Sequence, residues 1–378
     1  MHIKGLDGLR GLAALAVFSV HFNQTVRFDT QLGPFDIARF LENGEYGVSL
    51  FFSLSGFLLS IPFWQALIAG SELPSLKKYA LRRIARIVPA YYVALTLLIL
   101  LSGLWRYSGA LPDILLHYLF LFNFAEFSIF SINAPFWSLA VEMQFYILLP
   151  LLFMFVARFK RYAPLLLIFI IAAAAYLVHY LLINNVTQII EWPNDPRLTW
   201  IRPFGAVLSH SPLAHLPHFL FGVIAAYIFL YIHKDKTENS LKFERVSELI
   251  FWGALAVIVI LLGTALQDFI QIPYGRYSLP LVTLLLAAII VCTPHTRIAQ
   301  RCLDGFPLRA LGTISYGIYI YHLPCLLMVD RYMAAYQWDA AEHWALFGLI
   351  SLSITIVIAA ISFMLIEKPI VKMAKKFE

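Results

Sequence analysis

The sequence predicts an all-α fold: a polytopic membrane helical bundle of about ten transmembrane helices with both termini cytoplasmic. Three observations predict it. Of the 378 residues, 61% are hydrophobic and 13% are charged, whereas a soluble chain is roughly half apolar and about a quarter charged. Apolar runs of bilayer-crossing length, about twenty residues, recur near 8–26, 46–64, 87–104, 136–157, 163–183, 213–232, 249–266, 276–292, 313–330 and 344–366. With the N-terminus placed inside, 21 of the 28 Lys and Arg residues fall in cytoplasmic segments, as the positive-inside rule asks.

An eleventh run, Asp113 to Phe124, is shorter and carries Asp113, His117 and Asn123. If it crossed, Arg158, Lys160 and Arg161 would lie outside, against the same rule. Residues 105–135 are therefore expected as an outside or re-entrant segment. Apolar runs continue to the end of the chain, so residues 1–378 read as one integral-membrane domain. The net charge of +6 suits basic loops beside an anionic leaflet better than nucleic-acid binding, because no loop is a long basic tract. The first run follows Lys4 and Arg10, but Asp7 interrupts the basic region and no small-x-small site follows His21, so a cleaved signal peptide is not expected. Cys292, Cys302 and Cys325 fit no disulfide or zinc framework. The Pro-rich stretch 191–217 reads as a long outside loop, and long loops are often functional.

The first run organises the chemistry. Arg10 and His21 are eleven residues apart, close to three helical turns, so they share a face about 16 Å apart along the axis. An intramembrane imidazole can pass protons near neutral pH, or it can simply hydrogen-bond a neighbouring helix. Arg82, Arg83 and Arg86 cluster before a span. They either hold the loop inside or form an anion site, since guanidinium forks pair bidentately with phosphate. Glu142 lies inside an apolar span, where a carboxylate must pair, hold a proton or orient a histidine. Tyr319 and His322 also fall in a span, where aromatic residues are usually packing or belt residues. His210, His215 and His218 share one loop-to-helix junction with no carboxylate near in sequence, and no metal is expected there. Neither a Gly-rich phosphate loop nor a GxSxG elbow is present.

Seven stretches in order complete the pattern: LDGLRGLAALAVFSVHF at 6–22, VSLFFSLSGFLLS at 48–60, RRIARIVPAYY at 82–92, FWSLAVEMQFYILLPLL at 136–152, HFLFGVIAAY at 218–227, SYGIYIYHLP at 315–324 and IEKP at 366–369. Together they resemble the integral-membrane acyltransferase family three, which includes O-antigen and nodulation-factor acetylases and macrolide acylases. The resemblance covers essentially the whole chain. It implies a multi-pass protein of the cell (inner or plasma) membrane that moves an acyl group, commonly acetyl from acetyl-CoA, to a hydroxyl of a sugar, a cell-surface polysaccharide or a related acceptor.

The resemblance further implies His21 as the essential histidine with Arg10 as its paired residue, and Arg82, Arg83 and Arg86 as part of the acyl-CoA site. Glu142 joins His21 and Arg10 among the catalytic candidates, and Trp137, Tyr319 and His322 are candidates for substrate binding. Arg10 and the arginine cluster are expected to hold the charged end of CoA while pantetheine runs along the polar stripe to His21. The acceptor hydroxyl then either attacks the thioester with His21 as base, or receives an acyl group that His21 has carried. Some members fuse a C-terminal esterase-like periplasmic domain. Here acceptor handling is expected in the membrane domain or on a separate periplasmic acyltransferase or esterase partner. A proton-coupled secondary transporter is the alternative, since it too needs intramembrane Arg, His and Glu, but no paired Gly/Pro-interrupted segments mark the two halves. A non-catalytic protein that only binds an acyl or lipid-linked ligand is the third reading.

Overall fold

The computed structural model describes residues 3–159, 162–190, 202–234, 240–266, 268 and 280–377. Residues 191–201 of the Pro-rich stretch, the loop residues Lys160 and Arg161, and the first part of the 276–292 run lie outside the described residues. The described chain is helical apart from one two-residue hairpin, β1 (Gln31–Leu32) with β2 (Phe35–Asp36). Each of the ten apolar runs coincides with a helix: α1 (Leu6–Val26), α3 (Tyr46–Ala69), α4 (Leu76–Ser102), α7 (Trp137–Val156), α8 (Ala163–Ile190), α10 (Pro212–Lys234), α11 (Ser240–Gly263), α12 (Pro280–Cys292), α15 (Ser315–Ala335) and α16 (Trp344–Ser362). Shorter helices lie between them: α2 (Ile37–Glu42), α5 (Ala110–Tyr118), α6 (Glu126–Ile129), α9 (Arg202–Ser209), α13 (Arg297–Leu303) and α14 (Phe306–Thr313), with α17 (Lys368–Ala374) last.

Among the described residues seven helices are long and apolar enough to cross a membrane, and two bent pairs bring that number to nine. The pairs break at Thr296, by 97° between 280–295 and 297–303, and at Ile314, by 80° between 306–313 and 315–335. Helix α1 is more polar than these, but its 21 residues reach about 31 Å, the thickness of a bilayer core. The protein is a multi-pass membrane protein built as a helical bundle.

The chain divides into two compact units. The first comprises residues 1–61, 221–271 and 279–361, and α1 is its central element. Gly5, in the left-handed region at φ 81°, turns the chain into α1, and its N–H donates to Asp304 Oδ1 at 2.9 Å. Asp7 complements the positive end of the helix dipole. Two close approaches fix α1 against the 303–312 segment. A Cβ on Gly8 would lie 2.1 Å from the Leu303 carbonyl oxygen, and one on Gly312 would lie 1.7 Å from that of Asp7. Only glycine lets the backbones meet there, the small-residue contact by which membrane helices associate without a hydrophobic drive between them. Further along, Phe18 and Val26 pack with Leu326, Val329, Met333 and Phe347.

The second unit comprises residues 62–220, 272–278 and 362–378. Its core is aromatic: the Phe63 ring stacks on Phe153 at 4.9 Å, and Tyr91 meets Phe120 and Phe136 at 4.5 and 5.0 Å. The 113–124 run does not form a spanning helix. It is broken into α5 and a short 3-10 turn at Phe122–Phe124, with α6 following it; α5 has nine residues and reaches about 13 Å, less than half a bilayer core.

Candidate active site

In the first unit the structure brings His21 against His322. Their rings are 5.0 Å apart, centroid to centroid, at 35°. His21 sits near the end of α1 and is half-buried; its Nδ1 lies 2.9 Å from Gln24 Oε1. An amide oxygen only accepts, so Nδ1 carries the proton and Nε2 is left with a lone pair. His322, 1% exposed, follows the same rule through the backbone. Its Nδ1 lies 2.7 Å from the Tyr319 carbonyl and 3.2 Å from that of Ile318. These are the carbonyls of the preceding turn, which α15 offers to a side chain three or four residues on. Its Nε2 is buried and accepts no hydrogen bond. The result is two touching imidazoles, each with Nδ1–H engaged and each with Nε2 left unprotonated.

Tyr319 lies beside this pair, its ring 5.8 Å from that of His322 and edge-on to Phe51 at 6.0 Å. Arg10 lies on the same continuous helix as His21, three turns earlier, so the shared face read from the spacing is present. The two residues are about 16 Å apart along the helix axis.

The other candidates lie in the second unit. Arg82, Arg83 and Arg86 stand in the first turns of α4, but they have different surroundings. Arg82 is exposed. Arg83 turns inward: its guanidinium carbon lies 5.9 Å from the centre of the Tyr146 ring, and its Nε is buried with no hydrogen bond. Tyr146 Oη donates to Glu142 Oε1, so Arg83 and Glu142 lie on the same tyrosine. The Tyr79 hydroxyl is likewise buried without a partner. Arg86 reaches Glu367 at 3.7 Å. Glu367 ends a π-helical turn, Phe363–Glu367, a wide turn that is rare and frequent at functional sites; its side chain is fully buried. The arginines are thus a graded set, one open to solvent and two held against buried groups, and the intramembrane Glu142 has the partner that its position demands.

Trp137, at the start of α7, is set apart from the imidazole pair in the chain and belongs to the second unit. Its indole is edge-on to His210 at 4.6 Å and tilted on His215 at 4.8 Å, and His215 stacks on His218 at 5.8 Å. Beside it Gln144 Nε2 donates to Asn123 Oδ1 at 2.8 Å and to the Phe120 carbonyl at 2.9 Å. Among the described residues no group of three or more His, Cys, Asp and Glu is arranged to hold a metal ion. Gln24, Tyr146 and Glu367 were missed as site residues by sequence reasoning. Gln24 and Tyr146 sit one helical turn from His21 and Glu142 and were legible from that spacing, whereas Glu367 needs the fold to meet Arg86.

A helical membrane bundle with intramembrane imidazoles and buffered arginines defines a membrane-embedded group-transfer or transport protein. The model of the acyltransferase domain matches residues 3–364, and the chain belongs to that family. It is similar to the peptidoglycan O-acetyltransferase OatA of Listeria monocytogenes, 25% identical over 393 residues that cover 98% of this chain and 56% of the relative. It is also similar to the O-acetyltransferase OatA of Staphylococcus aureus, 24% identical over 391 residues that cover 98% of this chain and 57% of the relative. The chain thus spans little more than half the length of these relatives. No solved structure matches it.

Proposed function

We propose that the protein is a membrane O-acetyltransferase of the cell envelope that moves an acetyl group from acyl-CoA to a hydroxyl of a cell-wall or cell-surface polysaccharide. The observation that carries the reading is the His21–His322 pair, in a chain whose family transfers acyl groups. The printed names of the relatives supply the acceptor class, a glycan such as peptidoglycan.

His21 Nε2 takes the proton of the acceptor hydroxyl. The oxygen attacks the thioester carbonyl carbon, the C–S bond breaks, and the departing thiolate takes the proton back from His21. A positioned base of this kind contributes about 10²–10⁴-fold. The α4 arginines Arg82, Arg83 and Arg86 of the second unit are suited to the phosphates of the donor, because guanidinium forks match phosphate oxygens; Arg10, in the first unit, carries the same fork. Glu142, through Tyr146, positions the aromatic surface on which Arg83 rests. Tyr319 and His322 are buried and back the His21 imidazole from within the first unit, while Trp137 is buried against His210 and His215 in the second.

The test is incubation of the purified full chain, in bilayer nanodiscs, with acetyl-CoA labelled on the acetyl group and with isolated glycan strands. Label on the glycan supports the enzyme. Sealed vesicles that take up label with no release of free CoA would instead make the protein a carrier and overturn the reading.

A further inference from the structure

In the first unit, α1 packs by its start on the 303–312 segment. By its end it packs on α15 and α16, where Val26 joins Val329, Met333, Ala340 and Phe347. Ala340 belongs to the turn between α15 and α16, so that turn sits over the end of α1 that carries His21. Phe28, just past α1, meets the Trp344 ring edge-on at 5.2 Å. Phe22, next to His21, stacks on Phe347 at 5.7 Å. From His21 to the end of α1 at Val26 is about 8 Å along the axis.

The turn is tied down through its backbone. Gln337 takes the left-handed region at φ 60°. Its N–H donates to the Ala334 carbonyl and that of Trp338 to the Met333 carbonyl, both at 3.0 Å, the paired bonds that close a helix end. Ala341 N–H donates to Asp339 Oδ1 at 2.6 Å, and His343 N–H to the Asp339 carbonyl at 3.1 Å. On this frame large rings stand open: Tyr336, Trp338 and Trp344 are 63%, 50% and 49% exposed. Trp338 is steadied by the His343 ring, 5.4 Å away at 66°. Asp339 and Glu342 are exposed between the two tryptophans. Residues 336–344 hold no Lys or Arg, in a chain whose net charge is +6.

We infer, on the reading of the protein as an O-acetyltransferase of glycan, that the 336–344 turn is a second subsite for the acceptor. Trp338 and Trp344 stack on sugar rings of the polysaccharide, Asp339 and Glu342 accept its hydroxyls, and the unit held there lies beyond the one presented to His21. A pyranose carries C–H groups on its faces and hydroxyls around its rim. The negative face of an indole attracts the first, and an ionised carboxylate, which only accepts, takes the second in charge-assisted bonds. The charge of the turn selects sugar over lipid. Aromatic residues at a membrane face keep company with Lys and Arg, which suit anionic headgroups; this turn offers two acids and no base. Its position selects the acceptor over the donor. The α4 arginines suited to donor phosphates belong to the second unit, whereas this turn caps the helix of the imidazole that deprotonates the acceptor.

The test compares the full chain in bilayer nanodiscs with Trp338→Ala, Trp344→Ala and Trp338→Tyr. Trp105→Ala, at an exposed tryptophan of the second unit, is the control. The probe is a set of oligosaccharides cut from isolated glycan strands; its affinity is measured by calorimetry, and acceptor and donor KM by label transfer from acetyl-CoA. Each alanine variant should weaken glycan binding and raise the acceptor KM about 3–10-fold, as loss of one aromatic contact does, with the donor KM unchanged. Trp338→Tyr should recover most of the affinity, and Trp105→Ala should match the wild type. Glu342→Ala, a change at an exposed side chain, should weaken binding about threefold or more and decides the matter if a tryptophan variant does not fold. Glycan affinity that is absent from the wild type, or unchanged in the folded variants, would overturn the subsite. A rise of donor and acceptor KM together would assign the rings a structural role and overturn it too. Glycan binding that the variants weaken, in a wild type that transfers no label, would leave the subsite standing and refute the acetyltransferase reading instead.

Discussion

Gln24 gives the sharpest prediction about the imidazole pair, because one hydrogen bond of 2.9 Å sets which nitrogen of His21 is basic. Replacing Gln24 with Ala removes the acceptor of Nδ1–H. A neutral hydrogen bond of this kind contributes about 0.5–1.5 kcal/mol, and because Gln24 is exposed water replaces part of it, which puts the loss near the lower end. At about 1.4 kcal/mol per tenfold, the initial rate of acetyl transfer at saturating donor should fall about 2–5-fold, with the donor KM unchanged. Gln24→Glu keeps an acceptor at the same place and should keep the rate. The assay is label transfer from acetyl-CoA to glycan by purified variants matched for protein. If Gln24→Ala and Gln24→Glu fall equally, the amide oxygen is not what sets the tautomer. A loss as severe as that of His21→Ala would mean that Gln24 itself touches the reaction, and the reasoning would fail.

Other predictions concern packing, charge and pH. Gly312→Ala pushes a methyl into the Asp7 carbonyl oxygen, 1.7 Å away; overpacking of this kind costs about 1–3 kcal/mol, and the melting temperature in detergent should drop by a few degrees, where no change would contradict the close contact. Glu367→Ala strips Arg86 of its acid, and because Arg86 is 29% exposed the cost should be about 1–3 kcal/mol, below that of a fully buried pair. The double variant with Arg86→Ala should cost less than the two single losses added, and strict additivity in chemical denaturation would show that the pair is not coupled. Burial pushes the His117 imidazole below its ordinary value, with Asp113 only partly offsetting it. The unfolded chain therefore binds the extra proton first, and stability should decline as pH falls below about 6.5. His117→Gln should flatten that slope between pH 5 and 8, and an unchanged slope would assign it to other groups.

Much of the fold could be read from the chain. Twenty-residue apolar runs leave few alternatives in a bilayer, and within the described residues each of the ten holds a helix. The eleventh run betrayed itself by length and by Asp113 and His117, and it is broken into short pieces. The 97° and 80° bends at Thr296 and Ile314 were not legible, because an average of hydropathy over a window does not register a single residue that leaves the helix. Of the site, the Arg10–His21 face follows from the 3.6-residue turn alone. The approach of His322 to His21 and of Glu367 to Arg86 depends on which helices pack, and periodicity carries no information on that. The glycines at 8 and 312 look alike in sequence to glycines that touch nothing; only the neighbouring backbone tells them apart.

The most direct test of the account is the base-labile acetate on cell-wall glycan from cells that express the wild-type chain or His21→Ala at equal membrane levels. The account predicts added O-acetyl groups with the wild type and none above background with His21→Ala, although both proteins are inserted. Equal O-acetylation by the two would contradict the assignment of the reaction to this imidazole.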